Sequence, residues 1–226
     1  MNLRAVAIAA DGVTLPGDLV LPGSGSEAAR GLVLFAHGSG SSRFSPRNRY
    51  VAGVLNEVGL ATLLFDLLTP DEDTERAARF DIALLARRLV AACRWARREA
   101  PLSRLPVGLF GASTGAAAAL IAAAELGDAV RAVVSRGGRP DLAPADVLAR
   151  VRAPTRLIVG EWDREVLALN RGAARALRCE HDLVIVPGAT HLFEEPGTLE
   201  EAARAARDWF VRHLPASAAT TSSSST

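Results

Sequence analysis

The chain has 226 residues, enough for one domain with a sizeable core. Its 26 basic and 25 acidic residues leave a formal net charge of only +1, which argues against a nucleic-acid or membrane surface, and no apolar run is long enough to span a bilayer. The basic residues are all arginine, scattered and offset by Asp and Glu, so they read as a compositional bias and not as an RNA-binding signal. Cys93 and Cys179 are too few for a disulfide framework and read as free thiols of a cytoplasmic protein.

The apolar stretch Ala5 to Ala10 is short, runs into Asp11-Gly12 and lacks a cleavage pattern, so it reads as a strand and not a signal peptide. Leu3–Ala10 and Val13–Leu21 are expected to pair across Asp11-Gly12 as an antiparallel hairpin. A Gly/Ser/Ala-rich loop, 22–30, follows. Leu32 to Ala36 is a continuous apolar run, hence a strand buried on both faces. It ends in the polar loop His37-Gly38-Ser39-Gly40-Ser41-Ser42. Ser45-Pro46 fits an N-cap with proline at the first helical position, opening a helix to about Val58.

Ala61–Phe65 is the next buried strand, ending at Asp66, and 67–79 is a charged connection. Phe80-Asp81 with Leu85 resembles a hydrophobic staple around an Asp N-cap, opening a helix from Ile82 to about Arg98. Pro106–Phe110 is a strand and Ala116–Leu126 an apolar helix. Val130–Val134 is a strand, and 144–151 a short helix. Thr155–Val159 is a strand, followed by a helix over 165–177. Asp182–Val186 is the last strand. Thr198-Leu199-Glu200-Glu201 reads as a capping box opening a final helix to about His213. Strands alternate with helices from residue 31 onward. That pattern implies a mostly parallel sheet of about eight strands with helices on both faces, beside the N-terminal hairpin. One domain over 1–214 and a disordered Ser/Thr/Ala-rich tail over 215–226 are expected.

Gly111-Ala112-Ser113-Thr114-Gly115 joins a buried strand to an apolar helix. This is the sequence form of a nucleophile elbow, a turn sharp enough to hold the serine clear of the backbone. Gly111 and Gly115 flank it because a Cβ at either position would collide with its neighbours. The bland alternative is a tight strand–helix turn arising by chance in an Ala- and Gly-rich chain.

In a sheet of this kind, sites form beyond the carboxyl ends of the strands. The His37-Gly38-Ser39 loop, Ser113, Asp163 and His191 all fall there. The chain order is serine, then aspartate, then histidine, as in a triad on this architecture. Ser113 needs a base, and His191 is the histidine that follows the last strand. His191 needs a carboxylate, and Asp163 ends the preceding strand, with Glu161 and Glu165 near enough to substitute. Asp66 precedes the serine and reads as structural. The oxyanion formed on attack needs preorganised donors. Thr114 N–H at the helix start is one, and Ser39 N–H is the second, with Gly38 the alternative.

These four segments together resemble an α/β-hydrolase. The compactness resembles the dienelactone-hydrolase-like branch, including hydrolase domains found beside phosphoribosyltransferases. The resemblance covers residues 1 to about 214 and implies an α/β-hydrolase fold. Dienelactone hydrolases proper carry cysteine as nucleophile. Ser113 stands there in this chain, which favours an esterase-like activity without metal or cofactor.

Only about twenty residues separate Val134 from Thr155, so no cap domain and an open site are expected. Such a site suits small esters. Arg136 and Arg139, and equally Arg43, Arg47 and Arg49, are placed to attract an anionic substrate group; the bland reading is solvated arginine. Phe44, Trp162, Leu192 and Phe193 are candidates for pocket walls or for core packing. The expected partner is a small-molecule ester, with no nucleic acid and no membrane. A thioesterase, lactonase or dienelactone-type hydrolase would use the same residues, and a non-catalytic binding protein could keep the scaffold.

Overall fold

Alternation along the strands builds this molecule. In β3 (Gly31–Ala36), Leu32, Leu34 and Ala36 join one apolar cluster while Val33 and Phe35 join another on the opposite face. In β5 (Val107–Ala112), Leu109 and Phe110 divide in the same way. Strands with two buried faces must lie inside a three-layer structure. The computed structural model, which describes residues 2–23, 29–100 and 102–215, shows those layers. The expected tail from residue 216 onward and the middle of the 22–30 loop lie outside the described residues.

The sheet has eight strands. Besides β3 and β5 these are β1 (Asn2–Ala10), β2 (Val13–Leu21), β4 (Leu60–Phe65), β6 (Val130–Arg136), β7 (Thr155–Gly160) and β8 (His181–Val186). Their spatial order is β1-β2-β4-β3-β5-β6-β7-β8. The first two pairings, β1 with β2 and β2 with β4, are antiparallel; the rest are parallel. Asp11 and Gly12 both have positive φ, 46° and 78°, and Ala10 pairs with Val13. That is the two-residue turn whose twist matches its strands. The fold is an α/β-hydrolase fold.

Seven helices flank the sheet among the described residues: α1 (Pro46–Glu57), α2 (Arg76–Arg79), α3 (Ile82–Arg98), α4 (Thr114–Leu126), α5 (Ala145–Arg150), α6 (Arg164–Ala176) and α7 (Thr198–His213). α1 and α7 cover one face; α3, α4 and α6 cover the other. α1 starts as expected, with Ser45 Oγ accepting from Asn48 N–H at 3.4 Å, and α3 likewise, with Asp81 Oδ1 accepting from Leu84 N–H at 2.9 Å. None of the helices is long and apolar enough to cross a membrane.

Phe80 is half-exposed, with the Arg76 guanidinium 5.7 Å from its ring centroid. One local expectation needs correction. Thr198 is the first residue of α7 and not its cap. Its hydroxyl donates to the Glu195 carbonyl at 2.7 Å, and Gly197 at φ 83° turns the chain into the helix. The left-handed glycine sets the entry angle, so the side-chain box has no role.

Between β6 and β7 the chain needs only residues 137–154, which hold a single 3₁₀ turn and the short α5. No cap domain is inserted there.

Candidate active site

The strand order reverses between β3 and β5: the chain leaves β3 for β4 on one side and β5 for β6 on the other. At such a switch point adjacent loops diverge and leave a crevice. Ser113 stands over it, and its backbone is in the left-handed region at φ 51°, ψ −122°. A non-glycine residue held there costs about 1–3 kcal/mol, so the surroundings must impose it. They do so by contact. Ser113 N–H donates to the Arg136 carbonyl at 3.3 Å, and the Ser113 carbonyl accepts from Arg139 N–H at 3.0 Å.

The glycines explain why the turn fits. A Cβ on Gly111 would lie 2.4 Å from the Ala116 Cα, and one on Gly115 would lie 2.2 Å from the Ala36 carbonyl oxygen. Both elbow glycines are therefore demanded by close approach, as the motif implies. Gly38 plays the same part from the facing loop, where a Cβ would sit 2.9 Å from that of Ser113. Behind the elbow, Ala116 to Leu120 are fully buried, so α4 packs hard on the sheet and aims its first turn at the crevice.

His191 follows β8 and Asp163 follows β7. His191 Nδ1 lies 2.6 Å from Asp163 Oδ2. A carboxylate only accepts, so Nδ1 carries the proton and Nε2 is left as a base. Glu161 N–H donates to the Val186 carbonyl at 3.0 Å and Trp162 N–H to that of Ala189 at 2.9 Å. These bonds aim Asp163 inward. They also send Trp162 outward to 61% exposure, away from the residues that line the Ser113 cavity, which corrects its expected contact with substrate. Glu161 is likewise committed elsewhere, accepting from Gly188 N–H at 2.9 Å.

Ser113 and His191 line one cavity of about 270 Å³ together with Gly38, Ser39, Arg136 and Leu192. No hydrogen bond joins the two side chains in this structure. Such bonds are often long in an empty site and tighten on the substrate.

Ser39 meets the elbow in a manner the sequence does not show. Its N–H donates to Thr114 Oγ1 at 2.9 Å, so the expected oxyanion donor already has an acceptor within the protein. His37 anchors the same loop. Its Nδ1 lies 3.0 Å from the Gly38 carbonyl, and its Nε2 accepts from Leu67 N–H at 3.0 Å. Both ring nitrogens are thus used by backbone, and burial holds the His37 pKa below its ordinary value. Asp66 is structural as expected: it accepts from Arg43 N–H at 2.7 Å and pairs with the Arg43 guanidinium.

Arg136 is the largest departure. It is the last residue of β6, only 6% exposed, and lines the Ser113 cavity. Solvated arginine is the wrong description for it. Leu192 lines the cavity, whereas Phe193 is buried in the core and Phe44 is exposed, between the Arg43 and Arg49 guanidinium groups.

Two supporting residues give little sequence signal. Glu195 accepts from both the N–H and the hydroxyl of Thr190, at 3.0 and 2.6 Å, and so ties down the loop that carries His191; these bonds hold its carboxyl below the usual range. Asn170 is fully buried and donates to the Gly138 carbonyl at 2.9 Å, fixing the loop after Arg136. A Glu four residues past the histidine, and an Asn on the apolar side of α6, are the faint hints of each. Cys93 is buried, with its thiol pushed up to about 12, and takes no part in the site.

The fold and site define an α/β-hydrolase. No family model matches the chain. A crystal structure of dienelactone hydrolase from Anabaena variabilis is 54% identical, with a TM-score of 0.89 over 94% of this chain and 98% of that one. An α/β serine hydrolase without lid from Xanthomonas campestris is 22% identical and superposes with a TM-score of 0.77 over 95% of this chain and 96% of its own. Proteins named "Putative phosphoribosyl transferase" in two strains of Mycobacterium tuberculosis are 58% identical over 209 residues, 92% of this chain and 46% of theirs. The chain thus spans about half the length of the curated relatives it matches. It belongs to the dienelactone-hydrolase family of α/β-hydrolases.

Proposed function

We propose that this protein is a serine hydrolase that cleaves small carboxylic esters through an acyl-enzyme. The observation that carries the reading is the 2.6 Å contact of His191 Nδ1 with Asp163 Oδ2, at the rim of a cavity that also holds Ser113. It leaves Nε2 as a base on a ring that lines the same cavity as Ser113.

Ser113 Oγ attacks the ester carbonyl while its proton passes to His191 Nε2. A tetrahedral oxyanion forms, held by Thr114 N–H and by Ser39 N–H, which then shares its bond between Thr114 Oγ1 and the oxyanion. The C–O bond to the alcohol breaks and His191 returns the proton to the leaving oxygen. Water, deprotonated by the same nitrogen, then releases the acid and regenerates Ser113. Asp163 fixes the tautomer and stabilises the imidazolium. Serine in the place where dienelactone hydrolases proper carry cysteine favours oxygen esters. The absence of an inserted cap keeps the site open to small substrates.

The test is labelling with a fluorophosphonate probe, read by intact mass and peptide mapping. A single adduct on Ser113, lost in His191→Ala, is the expected result. Folded protein that takes up no probe would overturn the assignment in favour of a binding role for the scaffold.

A further inference from the structure

The sequence places five arginines on loops and helix starts near the crevice, and the structure sorts them: Arg47 and Arg136 line it. Arg43 pairs with Asp66, Arg49 with Asp18 at 3.1 Å, and Arg139 with Asp141 at 2.8 Å. Arg136 has no acid. Its Nη2 donates to Asn48 Oδ1 at 3.2 Å, and its Nε has no partner among the described residues. The centroid of the Phe193 ring lies 5.5 Å from the Arg136 Cζ and supplies a cation–π contact, but a buried guanidinium without an anion remains unfavourable, because that contact offsets only part of the desolvation of the charge. Burial first, and the Arg47 charge second, lower its pKa to about 10, so it remains a cation at neutral pH.

The same wall carries the start of α1. Ser45, Arg47 and Asn48 line the cavity beside Arg136, and the first turn of this 12-residue helix contains no acidic residue; Pro46 has no N–H and Ser45 Oγ takes that of Asn48, so the turn offers the Arg47 N–H and its share of the helix dipole. Ser39 and Ser41 add hydroxyl groups, and among the described residues no acidic side chain lines the cavity. Among the described residues Arg47 pairs with Glu194, at 3.4 Å on the surface. Glu194 offsets Arg47 only through a single contact on the surface, with the carboxylate 64% exposed, so a doubly charged anion in the cavity can recruit Arg47 as well as Arg136. A phosphate brings close to two negative charges and three acceptor oxygens.

We propose that Arg136, Arg47 and the first turn of α1 form a phosphate-binding subsite, and that the natural ester carries a phosphate group within a few bonds of its scissile carbonyl. The inference rests on the ester-hydrolase reading for its second half. The short reach follows from the cavity, whose volume of about 270 Å³ holds the subsite and Ser113 together.

The test uses the 4-nitrophenyl esters of butyric, succinic and 3-phosphonopropionic acids, which differ at one end in charge. The expected order of kcat/KM is phosphonate, then succinate, then butyrate, with the first and last separated by at least about tenfold. Arg136→Met, which keeps length without charge, should bring that ratio to near one, and Arg47→Ala should lower it several-fold. Because Arg136 is buried and its replacement strikes at packing as well as charge, inorganic phosphate is also titrated against Ser113→Ala. It should raise the melting temperature there and do so less in the Arg47→Ala/Ser113→Ala double variant. Equal kcat/KM for all three esters would overturn the subsite while leaving the hydrolase intact, and so would a preference for the succinate. Failure of Ser113 to take the fluorophosphonate, with phosphate still stabilising the fold, would overturn the hydrolase reading and leave the subsite standing.

Discussion

Two histidines stand at the ends of strands beside Ser113, and their surroundings are opposite. His37 follows β3 and is nearly buried, with one nitrogen against the Gly38 carbonyl and the other accepting from Leu67 N–H. His191 follows β8, its side chain 39% exposed and lining the cavity, with one nitrogen on Asp163 and the other without a hydrogen bond among the described residues. A ring whose two nitrogens serve the backbone can only brace a loop. A ring with one nitrogen held by a carboxylate and one free can move a proton. The residue type is shared; the hydrogen bonds decide the role.

The comparison can be broken from either side. The largest effect is expected from Ser113→Ala or His191→Ala, each lowering kcat about 10⁴-fold or more on an ester that the wild type turns over, with a far-UV spectrum unchanged. His37→Ala should do the reverse. It should cost about 2–3 kcal/mol in a urea titration, because Leu67 N–H is left buried and unpaired, and change kcat by less than about tenfold. Loss of turnover in folded His37→Ala, equal to that in His191→Ala, would mean that the roles are misassigned.

Asp163→Asn keeps the shape of the contact and removes the charge. It should lower kcat by roughly 10³- to 10⁴-fold with little change in KM, measured by steady-state kinetics. Thr114→Val removes the acceptor of Ser39 N–H and loosens the loop that His37 braces. An approximately tenfold fall in kcat is expected, with recovery in Thr114→Ser. A kcat in Thr114→Val equal to that in Thr114→Ser would show that the hydroxyl has no positioning role.

The smallest effect concerns stability and pH. Burial holds the His37 pKa below 6.5, and His213 is shifted in the same direction, by burial first, then by Arg212 and Arg156 against the opposing Glu180. Below pH 6.5 the unfolded chain takes up protons that the folded chain refuses, so stability falls with pH from about 6.5 down to the folded values. Melting curves between pH 7.5 and 5 should show that loss, and His37→Ala should show less of it. A midpoint that rises over that interval would refute the assignment of His37 as neutral.

Glycine patterning and apolar runs made most of the frame readable in the chain itself. The elbow is legible because close approach leaves no room for a Cβ at Gly111 or Gly115, and that restriction is local to the motif. The order of Ser113, Asp163 and His191 is legible because each follows a strand, and strand ends share one edge of a parallel sheet. Strand and helix limits follow from periodicity, as α3 over Ile82–Arg98 shows.

The tertiary structure alone decided the rest, because each case turns on groups far apart in the chain. Placing β4 between β2 and β3 is a choice among pairings that periodicity does not rank. The use of Ser39 N–H by Thr114 Oγ1 joins loops 75 residues apart. Trp162 points outward because two backbone bonds to the β8 end and its loop turn its neighbour Asp163 inward. Arg136 is buried because β6 lies in mid-sheet, with α1 and the loop after β8 closing over its end. Side-chain type and strand position were written in the sequence; which charges find a partner, and which are left for a substrate, was settled only when distant segments met.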